Sequence, residues 1–156
     1  MTEIELQNAI KDVIESEILP NLTIFKGGGM KVFLHDIPLT TEFEDDESDR
    51  YFPCCIVKTR AGEIENADDP QKTTVEIVIA IKDDSEDMTG HQSLLVVITR
   101  IRDYFLKNAG IMGKFRLSYP IKWGISDEVT TPYFVGNVLT IWDTDIMTYS
   151  DPNNFL

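Results

Sequence analysis

The chain reads as one α+β domain, a mixed or antiparallel sheet packed with two main helices. Three observations predict that class. Two segments repeat apolar residues at helical spacing, and several shorter ones alternate at strand spacing. The helices also fall among paired strands instead of alternating singly with them, in the order α-β-β-β-β-α-β-β. With 156 residues and 42% hydrophobic content, the chain can build one core and has little room for a second. The domain is expected over residues 1–148, with a long acidic loop at 36–50 and a frayed tail at 149–156.

The first helix is expected over Thr2–Ile18. Thr2 and Glu5 stand at capping-box spacing, Leu6, Ile10, Val13, Ile14 and Ile18 form an apolar face, and Pro20 stops the run. Leu22–Phe25 and Met30–Leu34 then flank Lys26-Gly27-Gly28-Gly29, which reads as a hairpin turn. A phosphate cradle would need Gly-Lys-Ser/Thr opening a helix, whereas Met30-Lys31-Val32 opens a strand-like run.

Glu42, Glu44, Asp45, Asp46, Glu47 and Asp49 place six acids within eight residues of the loop that follows. Such a run repels itself and stays solvated unless a cation or cationic partner meets it. It lacks the glycine and terminal glutamate that an EF-hand calcium loop requires in fixed order.

Tyr51–Arg60 reads as a strand entered after Pro53. Thr73–Lys82 is the clearest strand, with Val75, Ile77, Ile79 and Ile81 alternating onto one face. Val78 and Ala80 make the middle of its second face apolar too, so cover is expected on both sides, from another helix or another subunit. The second helix is expected over His91–Asn108, with Gly110 as its stop. Leu94, Ile98, Ile101 and Phe105 form its core stripe, and Leu95, Val96 and Val97 widen the apolar surface, which predicts burial on more than one side. Phe115–Tyr119 and Ile121–Ile125 read as one strand broken at Pro120, and Tyr133–Asp143 as the last long strand.

The formal charge is −13, from 14 Lys+Arg against 27 Asp+Glu. That balance disfavours phosphate-driven binding of nucleic acid and docking on an anionic membrane. The charge is uneven. Residues 91–122 hold Arg100, Arg102, Lys107, Lys114, Arg116 and Lys122 against the single Asp103, net +5, which leaves −18 for the rest. Self-complementarity follows as an expectation: the basic stretch of one copy facing an acidic stretch of the next, a head-to-tail contact that closes into a ring when its rotation permits.

No enzyme chemistry is legible. His35 and His91 belong to no recognisable constellation, and no Gly-x-Ser-x-Gly elbow, His-Glu-x-x-His motif or dinucleotide glycine fingerprint is present. No cofactor is expected. The N-terminal run has neither a basic nor an apolar signal region. The longest apolar run, Leu94–Ile98, is far short of a membrane span. Cys54 and Cys55 are neighbours with no other cysteine to pair with, so both are expected reduced, in a protein made in the cytoplasm.

From Tyr51 to Trp142 the sequence resembles the tail terminator (tail completion) proteins of long-tailed phages and related prophage elements. The matching features come in order: Tyr51-Phe52-Pro53 leading into Ile56-Val57, an acidic gap, then Thr74-Val75-Glu76-Ile77-Val78-Ile79. They continue with Gly90-His91 opening a helix that carries Ile98-x-x-Ile101-Arg102, with Pro120-Ile121-x-Trp123, with Pro132-Tyr133-Phe134-Val135-Gly136, and with Trp142. The acidic Glu42–Asp49 loop and the chain after Asp143 match nothing in that pattern.

The resemblance implies a hexameric ring that caps the tail tube, stops its growth and presents a surface to the head-side connector. DNA would pass through it without specific binding. A contractile tail would add the sheath protein as a partner. The place of action would be the tail or neck of the virion, after assembly in a bacterial host. Six copies at −13 carry −78, and an acidic lumen would not grip phosphates. Candidate subunit or tail-protein contacts are Val78, Ala80, Leu95, Val96, Arg100, Arg102 and Lys107, and the acids of Glu42–Asp49 are candidates for the lumen or a partner face. Three rival readings are a head–tail connector or neck protein, a small acidic enzyme or metal-binding protein using His91 with Asp83–Asp87, and a DNA mimic, against which the basic stretch counts.

Overall fold

The computed structural model describes residues 2–22, 29–36, 51–83, 89–126 and 132–144. Helix α1 spans Thr2–Val13 and runs on through a π-helical turn, Ile14–Ile18, and a 3-10 turn, Leu19–Asn21, that contains Pro20. Strands β1 (Lys31–Leu34), β2 (Cys54–Glu63) and β3 (Gln71–Lys82) precede helix α2 (Thr89–Lys107). Strands β4 (Gly110–Ile111), β5 (Phe115–Ile125) and β6 (Tyr133–Thr144) follow it. The expected α+β class holds, with a six-stranded sheet in the order β1-β2-β3-β6-β5-β4. The sheet is mixed: β1 runs parallel to β2, and every other pairing is antiparallel.

The centre is β3, paired along its whole length with β6, from Gln71 opposite Thr144 to Lys82 opposite Tyr133. On its other side it pairs with β2, from Ala80 opposite Cys54 to Lys72 opposite Glu63. Val75, Ile77, Ile79 and Ile81 point to one face and are buried. Partners directly opposite in a sheet share a face, so Val57 and Cys55 of β2 and Val138 of β6 join that layer. Both helices lie on it. Helix α1 packs over β1 and β2, and α2 over β6, β3 and β5. Leu6, Ile10 and Ile14 from the first helical run meet Leu94, Ile98, Ile101 and Phe105 from the second in one core.

Trp142 anchors the far side of that core with no exposed surface. Its ring meets Phe105 edge-on, 5.3 Å between centroids and 83° between planes. Its indole N–H donates to Thr140 Oγ1 at 2.8 Å, and that hydroxyl donates to the Val75 carbonyl at 2.8 Å, so a buried polar tip is satisfied in two steps.

Four readings of the sequence are corrected. The π-helical turn lies inside the segment read as one α-helix. Helix α2 is not buried all round, because Val96 is 37% exposed while Leu94, Val97 and Ile98 are buried. Phe115–Ile125 is one continuous strand, absorbing Pro120 through a register shift between Ser118 and Lys122 opposite β6. The short β4 was hidden because Gly110 reads locally only as a helix stop. The second flank expected at Met30–Leu34 is β1 (Lys31–Leu34), while residues 23–28 of the expected hairpin, 37–50 of the acidic loop and the tail at 149–156 lie outside the described residues.

Gly136 sits where α2 packs tightly on the sheet. A Cβ there would lie 2.9 Å from the Gly124 carbonyl oxygen, 2.9 Å from Ile98 Cδ1 and 3.4 Å from Leu94 Cδ1. The carbonyl belongs to the neighbouring strand and cannot swing away as a side-chain tip can. Gly136→Ala should therefore destabilise the fold by about 1–3 kcal/mol, as overpacking does, read as a lower midpoint in chemical denaturation. An unchanged midpoint would show that the helix does not bear on the sheet at this point.

Candidate functional site

The face of the sheet turned away from the helices carries Thr74, Glu76, Val78, Ala80 and Lys82 from β3, and no helix among the described residues lies on it. Opposite them stand Cys54, Ile56 and Lys58 of β2 and Val135, Asn137, Leu139 and Ile141 of β6. The apolar members gather into a second cluster. Cys54, Ile56 and Ala80 are buried, with Phe33, Phe52, Val78 and Val135 packed against them. The aromatic rings lean over the small residues, Phe52 on Tyr133 at 5.1 Å and Phe33 on Tyr51 at 5.8 Å. The second face of β3 is thus apolar toward Lys82, as Val78 and Ala80 foretold.

Beyond Val78 that surface turns polar. Glu76 Oε1 accepts from Arg60, with Nε at 2.7 Å and Nη2 also in contact, and Glu76 Oε2 accepts from the Asn137 side-chain amide at 2.7 Å. Burial works to raise the carboxyl's pKa, but the Asn137 and Arg60 hydrogen bonds and the Arg60 and Lys58 charges outweigh it and hold it below the ordinary range. Both oxygens are engaged and the group stays ionised, so it is a poor proton acceptor for catalysis. A cavity of about 310 Å³ opens beside it, lined in part by Arg60, Val78, Gly124 and Val135.

The two cysteines are free and buried, as expected. Burial pushes the Cys54 thiol up to about 11 and raises Cys55 further, and Cys55 Sγ lies 3.1 Å from Met30 Sδ. Neither offers a thiolate near neutral pH.

The interface residues expected from sequence divide among four places. Val78 and Ala80 lie on the open sheet face. Arg100 and Lys107 line a cavity of about 420 Å³ between the helical runs, facing Glu17 and Asn21, with Asp103 and Tyr104 beside them. At 100° per residue the opposite flank of α2 carries Leu95, Arg102 and Leu106, and the sheet order turns that flank toward β5. Arg102 pairs with Asp103 at 3.1 Å, and Val96 stands on the helix's outer surface.

Sequence reasoning passed over the surface side of β5. Tyr119 and Trp123 are 70% and 47% exposed. The signal was available, since a tryptophan and a tyrosine flank Pro120 and Ile121 in a strand with little apolar alternation. Among the described residues Arg100, Lys107, Arg116 and Lys122 make no ion pair with a carboxylate, whereas Lys114 bonds Glu5 at 3.0 Å. The acids of Glu42–Asp49 lie outside the described residues, and so do Asp84, Glu86 and Asp87 of the metal reading. Asp83 accepts the Thr89 hydroxyl at 2.7 Å at the start of α2, and His91 is exposed two residues on. No group of metal-binding side chains gathers among the described residues, and no helix there is long and apolar enough to cross a membrane.

Compared with known proteins, the chain matches no family model, and no curated protein matches it significantly. The geometry itself defines an α+β protein with a six-stranded mixed sheet and both helices on one face.

The Glu76 cluster sets an acid dependence. A carboxyl with a lowered folded pKa contributes stability that is whole above its unfolded value of about 4.3 and is lost as pH falls through the folded value. Since Arg60 is half in solvent, Glu76→Gln should cost about 1 kcal/mol at neutral pH. The gap to the parent chain should close in acid. A gap that is constant with pH would show that the charge does not matter.

Proposed function

We propose that the chain is a structural virion protein of the tail terminator type, a ring-forming subunit that caps the tail tube, stops its polymerisation and joins it to the head-side connector. Six copies close the ring, and DNA crosses its centre without being held. The tail tube protein, the connector and, in a contractile tail, the sheath protein are its partners, in the tail or neck of a virion assembled inside a bacterial host.

The observation that carries this reading is where the resembling residues fall. Val75, Ile77 and Ile79 line the buried face of β3, while Ile98 and Ile101 lie on the buried stripe of α2. Trp142 closes the core beside Phe105. Gly90 leaves no room for a side chain, since a Cβ would lie 2.5 Å from the Phe134 ring and 2.9 Å from Asp83 Cβ. Gly136 is bound by the same limit. The motifs thus occupy positions that specify this sheet-and-helix arrangement, and they support a shared fold.

The step from fold to role rests on surfaces. An exposed cationic pair, Arg116 and Lys122, lies on β5, and the exposed acids Asp12 and Glu15 lie on the first helical run. A heterologous contact between two such unlike surfaces is what a ring needs, because each copy must present a different patch to each neighbour.

Tail-tube protein polymerised with and without this protein, then measured by negative-stain electron microscopy, tests the role. Tubes should be shorter, with a narrower length distribution, when it is present. An unchanged distribution overturns the role, and binding to the head-side connector with no effect on tubes would move the protein to the neck.

A further inference from the structure

Strand β4 covers only the first part of the outer edge of β5. Gly110 and Ile111 pair with Arg116 and Phe115, and the Leu117 amide donates to the Ala109 carbonyl at 2.7 Å. From Ser118 to Ile125 no strand among the described residues takes that edge. A free edge offers a row of backbone donors and acceptors to any extended chain. Pro120 has no N–H to give, so the row is complete over Ile121–Ile125.

The two sides of this edge differ in chemistry. Trp123 and Ile125 stand opposite Val138 and Gly136 of β6, on the helix side. Ile121 and Ile125 are half-buried against the main core, and Trp123 beside them is half exposed. Arg116 and Lys122 stand opposite Asp143 and Leu139, on the open side, and both are exposed. The acids nearest to them are already engaged. Asp143 bonds Lys72 at 2.9 Å, and Glu76, directly across Leu139, holds Arg60 and Asn137. On the helix side Asp103 bonds Arg102 at 3.1 Å. The free charge of β5 is therefore cationic and lies on one side, with the apolar side chains on the other.

A strand added to the edge turns its own side chains to the two sides alternately. One set meets Ile121, Trp123 and Ile125, and the other meets Lys122 and, toward β4, Arg116. We propose that β5 takes a strand of a partner protein, one in which apolar and acidic residues alternate, by addition to the edge at Ser118–Ile125. Main-chain bonds supply the affinity, and the alternation supplies the choice. A second copy is the poorer occupant. Two β5 edges would oppose Lys122 to Lys122. The other free edge among the described residues, β2 beyond Val57, carries Lys58 and Arg60 on the open side against the single Glu63. The contact stands whether or not the chain forms a ring.

The probe is a short capped peptide alternating valine and glutamate, added to the full chain, with amide hydrogen exchange read residue by residue. Amides within 118–125 should gain protection. Trp123 fluorescence should become less accessible to acrylamide, while the buried Trp142 changes little. Binding should weaken as salt is added. A valine–lysine peptide should give neither effect, and nor should a valine–glutamate peptide whose amides are N-methylated and cannot pair. Lys122→Glu, an exposed change that leaves the core alone, should weaken the valine–glutamate peptide at least about tenfold and admit the valine–lysine one.

No protection at the highest soluble peptide concentration overturns the proposal, as does equal binding of the N-methylated peptide or unchanged binding by Lys122→Glu. Protection of the same amides in the chain alone, growing with its concentration, would make the occupant a second copy and overturn the choice of partner.

Discussion

The pairing of β3 with β6 over twelve residues, with β2 on the other side, is the constraint on which the rest of this structure depends. It fixes which side chains share a face. Once Val75, Ile77, Ile79 and Ile81 align with Val138 and the small Gly136, one side becomes continuous apolar ground and both helices must lie there. The other side is interrupted by Glu76, which holds Arg60 and Asn137. A slip of one residue would bury that carboxylate and expose four branched side chains, so the register is strongly specified.

From that register the layers follow. Helix α2 can approach the sheet only because Gly136 has no side chain, and its Phe105 then reaches Trp142. With both helices on one side, the molecule is left with unlike surfaces: a sheet face with a small aromatic-capped cluster, a cationic α2–β5 border carrying Trp123, and an acidic first helix beside a cavity. Asymmetry of this kind suits a subunit that meets different neighbours on different sides. The Glu76 carboxylate spends both oxygens on the fold.

Much of this was legible in the chain. The alternation of Val75 to Ile81 marks β3, the spacing of Leu94, Ile98, Ile101 and Phe105 marks α2, and the adjacency of Cys54 and Cys55 excludes a bridge between them. Charge counting along the chain separated the basic residues 91–122 from the acidic remainder. What stayed hidden is what non-local packing decides. Val96 reads as apolar but faces outward, because the helix needs only one buried stripe. Pro120 reads as a break, yet a register shift against β6 carries the strand past it. The two-residue β4 exists only through its pairing with Phe115 and Arg116. Trp123 could be noticed in the sequence, but its exposure could not.

The central claim is that these unlike surfaces close head-to-tail into a ring at the end of a tail tube. Tubes incubated with the protein, imaged by cryo-electron microscopy and averaged at their ends without imposed symmetry, test it most directly. The account predicts added density at one end only, with six-fold symmetry and an open centre wide enough for duplex DNA. Density spread along the tube wall, or a two-fold dimer at the tip, would contradict it.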